Sequence, residues 1–313
     1  MKLMKVFGEL LSGAAVAALV VTGLVAVLGL SAGGTAPRSA ATPPAGGDSA
    51  LASLSGLLGL SGNLRTISWA SARRTASPLA ALVPALARRG PGLIATGVKS
   101  PDGDPILLFR PRPLTEKAGP TWRGYRIGYW PGERPGAHAP TYPLPDGFLE
   151  VTPDNRDLAL STRFRVRDFL THDQAAVWPK VLVIDLTLLD KLELIGDELQ
   201  RMGRSSAIRV MSGFRTPQYN ALGVGPRGGR AGNSRHMYGD AADIYVDGDG
   251  NGQMDDLDGD HRVTIADARW LAAVAERVEA AHPSLAGGIG VYRANAVHGP
   301  FVHVDTRGTA ARW

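Results

Sequence analysis

Cysteine is absent from all 313 residues. No disulfide framework and no thiolate metal site is available, so a bound metal would have to be held by imidazole and carboxylate. A dense Lys/Arg block and alternation of basic with aromatic residues are missing too. The arginines are spread along the chain and interrupted by acids, which argues against a nucleic-acid surface. The net charge of +5 suits either a polyanionic partner or ordinary solubility.

The first hundred residues lack the pattern of a packed core. Ala14 to Leu30 is an uncharged, mostly apolar run of seventeen preceded by Lys2 and Lys5. That is somewhat long for the core of a signal peptide and at the short limit for a membrane span. Residues 1–32 therefore read as a signal peptide or an N-terminal membrane anchor. The bulk of the protein is expected outside the cytoplasm, in the periplasm or cell envelope, tethered to the inner membrane if the segment is retained. Residues 31–50 are Ala, Gly, Pro, Ser and Thr almost throughout, a composition that buries too little apolar surface to order itself. We expect a low-complexity, largely disordered linker over residues 33–118, because its short Leu/Ala stretches do not amount to a domain. Residues 119–163 read as a small β-rich accessory segment in which Trp122, Tyr125, Ile127, Tyr129 and Trp130 are packing residues.

Regular structure is expected over 164–313. Phe164 to Asp173 alternates like an edge strand, and Asp185 is placed to cap a helix. Leu188, Leu189, Leu192, Ile195 and Leu199 recur at helical spacing up to Gly203. Ala207 to Met211 alternates as a strand, and Gly213 and Pro217 mark a turn. Ala242 to Val246 is a further strand, so Asp243 is expected on a strand and His236 in the loop before it. A helix from Asp267 to about Ala281 precedes two last strands, at 287–292 and 301–305. This order describes an α+β domain with helices packed on a small antiparallel sheet and a metal site in the cleft.

His236 and Asp243 stand seven apart, beside Gly239 and the small pair Ala241-Ala242. An imidazole and a carboxylate can bind a divalent metal, and catalytic zinc takes three protein ligands. The tail segment His298 to Asp305, with two of the seven histidines, is the natural source of a third.

Four motifs then suggest a family: Ser212-Gly-Phe-Arg215-Thr-Pro, Ser234-x-His236-x-x-Gly239-x-Ala241-x-Asp243, Gly288-Ile-Gly-Val-Tyr292 and Phe301-Val-His303-Val-Asp305. In this order they resemble the zinc D-Ala-D-Ala peptidases of the M15 group, over roughly residues 164–313. The resemblance implies a peptidoglycan peptidase, carboxypeptidase or cross-link endopeptidase, with peptidoglycan peptides as substrate and His236, Asp243 and His303 as zinc ligands. It assigns Arg215 and Ser234 to substrate. Many members place an acidic residue three positions before the last histidine ligand, where this chain has Pro300. Others carry a histidine five positions before it, and His298 stands there, so His298 takes the acid/base or oxyanion role. Asp305 is the candidate to orient an imidazole from behind. Pro300 also motivates the alternative of a non-catalytic wall-binding module that retains the fold. His138, His172, His261 and His282 have no motif around them and default to surface or capping roles. Asp240 reads as a solvated loop acid.

The acidic stretch 247–267 fits a calcium-loop template twice over. Asp247, Asp249, Asn251 and Asp258 supply one version, with Gly252 at its sixth position and Asp255 at its ninth. Asp256, Asp258, Asp260, the Arg262 carbonyl, Thr264 and Asp267 supply a dockerin-like second, in which His261 replaces the usual glycine. We expect a structural calcium site here, of one or two ions.

Overall fold

A computed structural model describes residues 57–74, 83–100, 103–134, 136, 141–225 and 228–313. The apolar run 14–30, the first part of the expected linker and His138 lie outside the described residues. Among the described residues, no helix is long and apolar enough to cross a membrane.

Among the described residues from 57 to 118, the region expected as linker is built structure. Strands β1 (Thr66–Ser68), β2 (Gly92–Lys99) and β3 (Pro105–Arg110), with helix α1 (Trp69–Arg74), form a sheet ordered β1-β3-β2. Leu58, Ile67, Ile94, Ile106 and Leu108 make a buried cluster of their own beneath it. The composition hid this sheet because β1 has only three residues, β2 carries Gly92 and Gly97, and β3 opens on Pro105. A buried carboxylate ties the chain just ahead of this sheet to the larger core, as Asp190 accepts the Leu60 and Ser61 amides at 2.6 and 2.9 Å.

The hairpin β4 (Thr121–Trp122) and β5 (Tyr125–Arg126), and the pair β6 (Leu149–Val151) and β7 (Lys180–Leu182), share one core with the rest. Trp122, Tyr125, Ile127 and Trp130 are all buried, in keeping with a packing role. The expected strand over 164–173 is instead a 3-10 turn, Val166–Phe169. The Asp168 carboxylate accepts the Arg165 amide at 2.7 Å and closes the turn, while Val166 and Phe169, three apart, both face the core.

Helix α2 (Leu186–Arg201) starts where Asp185 accepts the Thr187 amide, and it buries Leu188, Leu189, Leu192, Ile195 and Leu199. A short helix α3 (Pro217–Ala221) is capped by Thr216. Helix α4 (Ile265–Ala281) opens on a reciprocal capping box between Thr264 and Asp267. It packs on α2 and on the sheet. That sheet has five strands in the order β12-β10-β11-β9-β8, with ranges Ala311–Arg312, Gly288–Tyr292, Phe301–Asp305, Ala241–Val246 and Ile208–Ser212. All its pairings are antiparallel except β10 with β12. The fold class is α+β, as expected.

Candidate active site

Strand alternation decides which face carries chemistry. Ala242, Ile244 and Val246 of β9, with Val302 and Val304 of β11, are fully buried in the core. Asp243 and His303 therefore project from the opposite face. The register sets them side by side and extends the row in both directions: Ser212 pairs with Asp243, Asp243 with His303, and His303 with Gly290.

His236 joins this row from a 3-10 turn, Arg235–Tyr238, rather than from a strand. Gly239 ends the turn with φ +74°, where a Cβ would come within 2.4 Å of the Val183 carbonyl oxygen, so glycine is required. The turn is held from outside: Trp130 Nε1 donates to the Met237 carbonyl at 2.7 Å, and the Arg215 amide donates to the His236 carbonyl at 3.1 Å.

Three side-chain atoms meet. His236 Nε2 lies 3.1 Å from His303 Nδ1 and 3.2 Å from Asp243 Oδ1, and His303 Nδ1 lies 3.0 Å from the same oxygen. Ligands bonded to zinc at roughly 2.0–2.1 Å in a tetrahedron stand about 3.3 Å apart, so this triangle has nearly the size of a zinc-ligand face. The outward nitrogens support that fit. His236 Nδ1 is 2.7 Å from the Gly213 carbonyl, which can only accept, so Nδ1 carries a hydrogen and Nε2 a lone pair. His303 Nε2 donates to Asp305 at 3.2 Å, which frees Nδ1 to present its lone pair inward. These residues fit a single divalent cation.

Charge is arranged to the same end. Burial keeps His236 below its ordinary pKa and therefore neutral. Burial would raise Asp243, but the two imidazoles outweigh it and hold the carboxyl well below its usual range. Burial opposes protonation of His303, yet hydrogen bonds with Asp243 and Asp305 win and raise its pKa. A metal would thus displace a proton from His303 Nδ1. Asp305 is fully buried and accepts from the Gly288 amide at 2.7 Å and from Arg307 Nε at 2.9 Å. Its carboxyl is also depressed, because His303, Arg307 and Gly288 outweigh its burial. Behind it, the buried Lys191 Nζ donates to the Asp305 main-chain oxygen at 2.7 Å and pairs with Glu279 at 2.6 Å.

The other expected residues fall around this triangle. Arg215 is ion-paired with Asp243 Oδ2, and its Nε donates to Ser212 Oγ at 2.8 Å, so it grips a candidate ligand carboxylate. Ser234 starts the His236 turn and lines the same cleft, of about 820 Å³, as Arg215, His298 and the triangle. His298 Nδ1 donates to the Gly299 carbonyl at 2.8 Å, leaving Nε2 to accept from the Asn295 amide at 2.8 Å. Both ring nitrogens are therefore engaged. Asp240 departs from the expected solvated acid: it is buried and paired with Arg235, and its carbonyl accepts the Thr306 amide at 3.0 Å. His172, expected at the surface, also lines the cleft.

One wall was missed altogether. The Trp313 ring lies 5.3 Å from the His303 ring and donates from Nε1 to Tyr292 Oη at 2.7 Å. It occupies the space over Gly290, where a Cβ would approach the indole to 2.4 Å. The glycines at 288 and 290 were the available signal, since a strand face bare on alternate residues needs a cover.

In the acidic stretch, Asp247, Asp249 and Asp255 come together, as do Asp256, Asp258 and Asp260. Asp255 stands at the ninth position of the first template. Asn251 bonds within its own loop, donating from Nδ2 to Asp249 at 2.9 Å. Asp267 is fully buried, accepting the Leu257 and Thr264 amides at 2.7 Å each, and Thr264 caps α4. These bonds engage both Asp267 oxygens and the Thr264 hydroxyl in backbone capping. The Arg262 amide donates to Asp260 at 2.8 Å, within the same turn.

Comparison with known proteins returns one family, described as peptidoglycan L,D-endopeptidase MepK, matching residues 167–257. The match takes in Arg215, Ser234, His236 and Asp243 and ends before His303 and Asp305. No curated protein and no solved structure matches the chain. The motif resemblance and the family match fall on the same segment, which is similar to the peptidoglycan endopeptidases of that family over residues 167–257.

Proposed function

We propose that this protein is an exported zinc peptidase that hydrolyses peptide bonds at D-amino-acid residues of peptidoglycan. The observation that carries the reading is the convergence of His236 Nε2, Asp243 Oδ1 and His303 Nδ1 at near-tetrahedral ligand spacing, with both imidazoles oriented from behind. The matched family is named for an L,D bond, which makes an L,D cross-link the first candidate, ahead of the D-Ala-D-Ala bond suggested by the motifs.

Zinc held by these three residues would act as a Lewis acid and bring the pKa of a water to about 7. The chain's own groups would do the rest. Arg215 holds the outer oxygen of Asp243 and so keeps Oδ1 turned inward. The Ser234 hydroxyl, and Arg215 at the edge of the cleft, orient the peptide. His298 takes a proton from the attacking water and returns it to the leaving amine, so that a carboxylate and an amine are released. For this, His298 Nε2 must exchange its Asn295 partner for water or substrate.

A structural calcium role for 247–260 belongs to the same proposal. It is supported by the two carboxylate trios and by the Asp255 carboxyl, which burial first and then Asp249 and Asp247 push up despite a hydrogen bond from the Gly248 amide. A cation there would relieve that crowding.

Mass spectrometry of muropeptides after incubation with the zinc-loaded protein tests the function. Release of L,D-cleaved products supports the first candidate bond, and D,D products shift the assignment to the other. Intact muropeptides that remain bound would point instead to a wall-binding module.

A further inference from the structure

Five arginines line the cleft: Arg215, Arg230, Arg235, Arg293 and Arg307. Three are neutralised, Arg215 by Asp243, Arg235 by Asp240 and Arg307 by Asp305. Arg230 and Arg293 have no carboxylate partner among the described residues. Arg293 is exposed on the loop after β10. Arg230 is half-buried and fixed in place.

Its fixation is specific. Arg230 Nη1 donates to the Tyr219 carbonyl at 2.6 Å, and the guanidinium lies 4.3 Å from the Tyr219 ring centroid. The side chain runs over Gly223, where a Cβ would come within 2.4 Å of Arg230 Cδ. The Arg230 amide donates to the Gly223 carbonyl at 2.9 Å, and Asn220 Nδ2 ties down the Ala231 carbonyl at 3.0 Å. A long cationic side chain loses its rotamer freedom here without gaining a counter-ion. The Arg230 charge also reaches His172 across the cleft: burial first, then Arg215, then Arg230, hold that imidazole below its ordinary pKa. A guanidinium held on one edge by a carbonyl and on one face by a ring keeps its remaining N–H groups free for a planar anion.

We propose that Arg230 is the anion subsite of this cleft, binding a free carboxylate of the peptide and making the enzyme selective for an acidic stem over its amidated counterpart. This rests on the peptidase reading and adds its substrate class. The carboxylate can be the α-carboxylate of the peptide's terminal residue or a side-chain carboxylate of a diacid residue, and the two are separable by experiment.

The test uses the zinc-loaded full chain and synthetic stem peptides in which each carboxylate is converted singly to its carboxamide. For one of the two positions, the free acid should be cleaved with a kcat/KM about 10- to 100-fold above the amide, mainly through KM. Arg230→Ala should bring that ratio close to one, and Arg230→Lys should keep part of it. A wild-type ratio near one at both positions overturns the inference, as does Arg230→Ala slowing acid and amide by the same factor. If the wild type cleaves none of the peptides, the peptidase reading fails separately, and calorimetric binding of the same peptides decides. Tighter binding of the acid that disappears in Arg230→Ala upholds the subsite, and equal binding of acid and amide by the wild type refutes it.

Discussion

His303 and Asp243 face each other across neighbouring antiparallel strands, with Nδ1 3.0 Å from Oδ1. Strand register sets this contact, and His236 completes it from a separate turn. Loss of any one of the three should therefore empty the site. Purified protein should carry about one zinc per chain, and His236→Ala, Asp243→Ala and His303→Ala should each lose both metal and activity. His298→Ala should keep its zinc while turnover falls about 10²- to 10⁴-fold. Metal analysis beside muropeptide release separates the two classes, and zinc loss in His298→Ala would make that residue a ligand.

Asp305 acts on the site through His303 Nε2. Asp305→Asn should leave the protein folded and weaken zinc binding about 10- to 100-fold, measured by competition with a chromophoric chelator. Unchanged affinity would reduce Asp305 to a partner of Arg307.

Acid should destabilise the metal-free protein in a way that depends on the same carboxylate. The Asp305 and Asp243 carboxyls are both depressed in the folded state, against an unfolded value of about 3.9. Between the folded and unfolded values the unfolded chain binds more protons, so stability rises with pH there. The contribution is complete above about pH 5 and is lost as pH falls below the unfolded value. Urea melts from pH 7 to pH 3 should show this loss, with a shallower slope in Asp305→Asn. Parallel slopes would count against the depressed carboxyl.

Calcium added to the zinc-loaded protein should raise its melting temperature, and Asp249→Asn or Asp258→Asn should reduce the rise. A melting temperature indifferent to calcium in the wild type removes the structural-ion proposal.

Much of the region 164–313 was legible because period and caps coincide. The leucine stripe of α2, its Asp185 cap and the alternation of β9 and β11 each follow from local spacing, and all three appear where expected. The sheet at 66–110 was not legible, because a three-residue strand, a strand carrying two glycines and a strand opening on proline gain their stability from one another across the sheet. The partners of the site residues were also hidden. That Arg215 grips Asp243, or that Asp240 is buried against Arg235, depends on contacts that no spacing reveals. Trp313 was missed because its role depends on two glycines twenty-odd residues earlier in the chain.

The row Ser212, Asp243, His303, Gly290 has one further meaning. A one-residue slip of β9 against its neighbours would turn the Asp243 carboxylate into the apolar core and bring Ala242 or Ile244 to the cleft. Such a misfolded chain could not assemble the metal triangle. Metal uptake would then serve as an assay of correct strand pairing, read at neutral pH without any substrate.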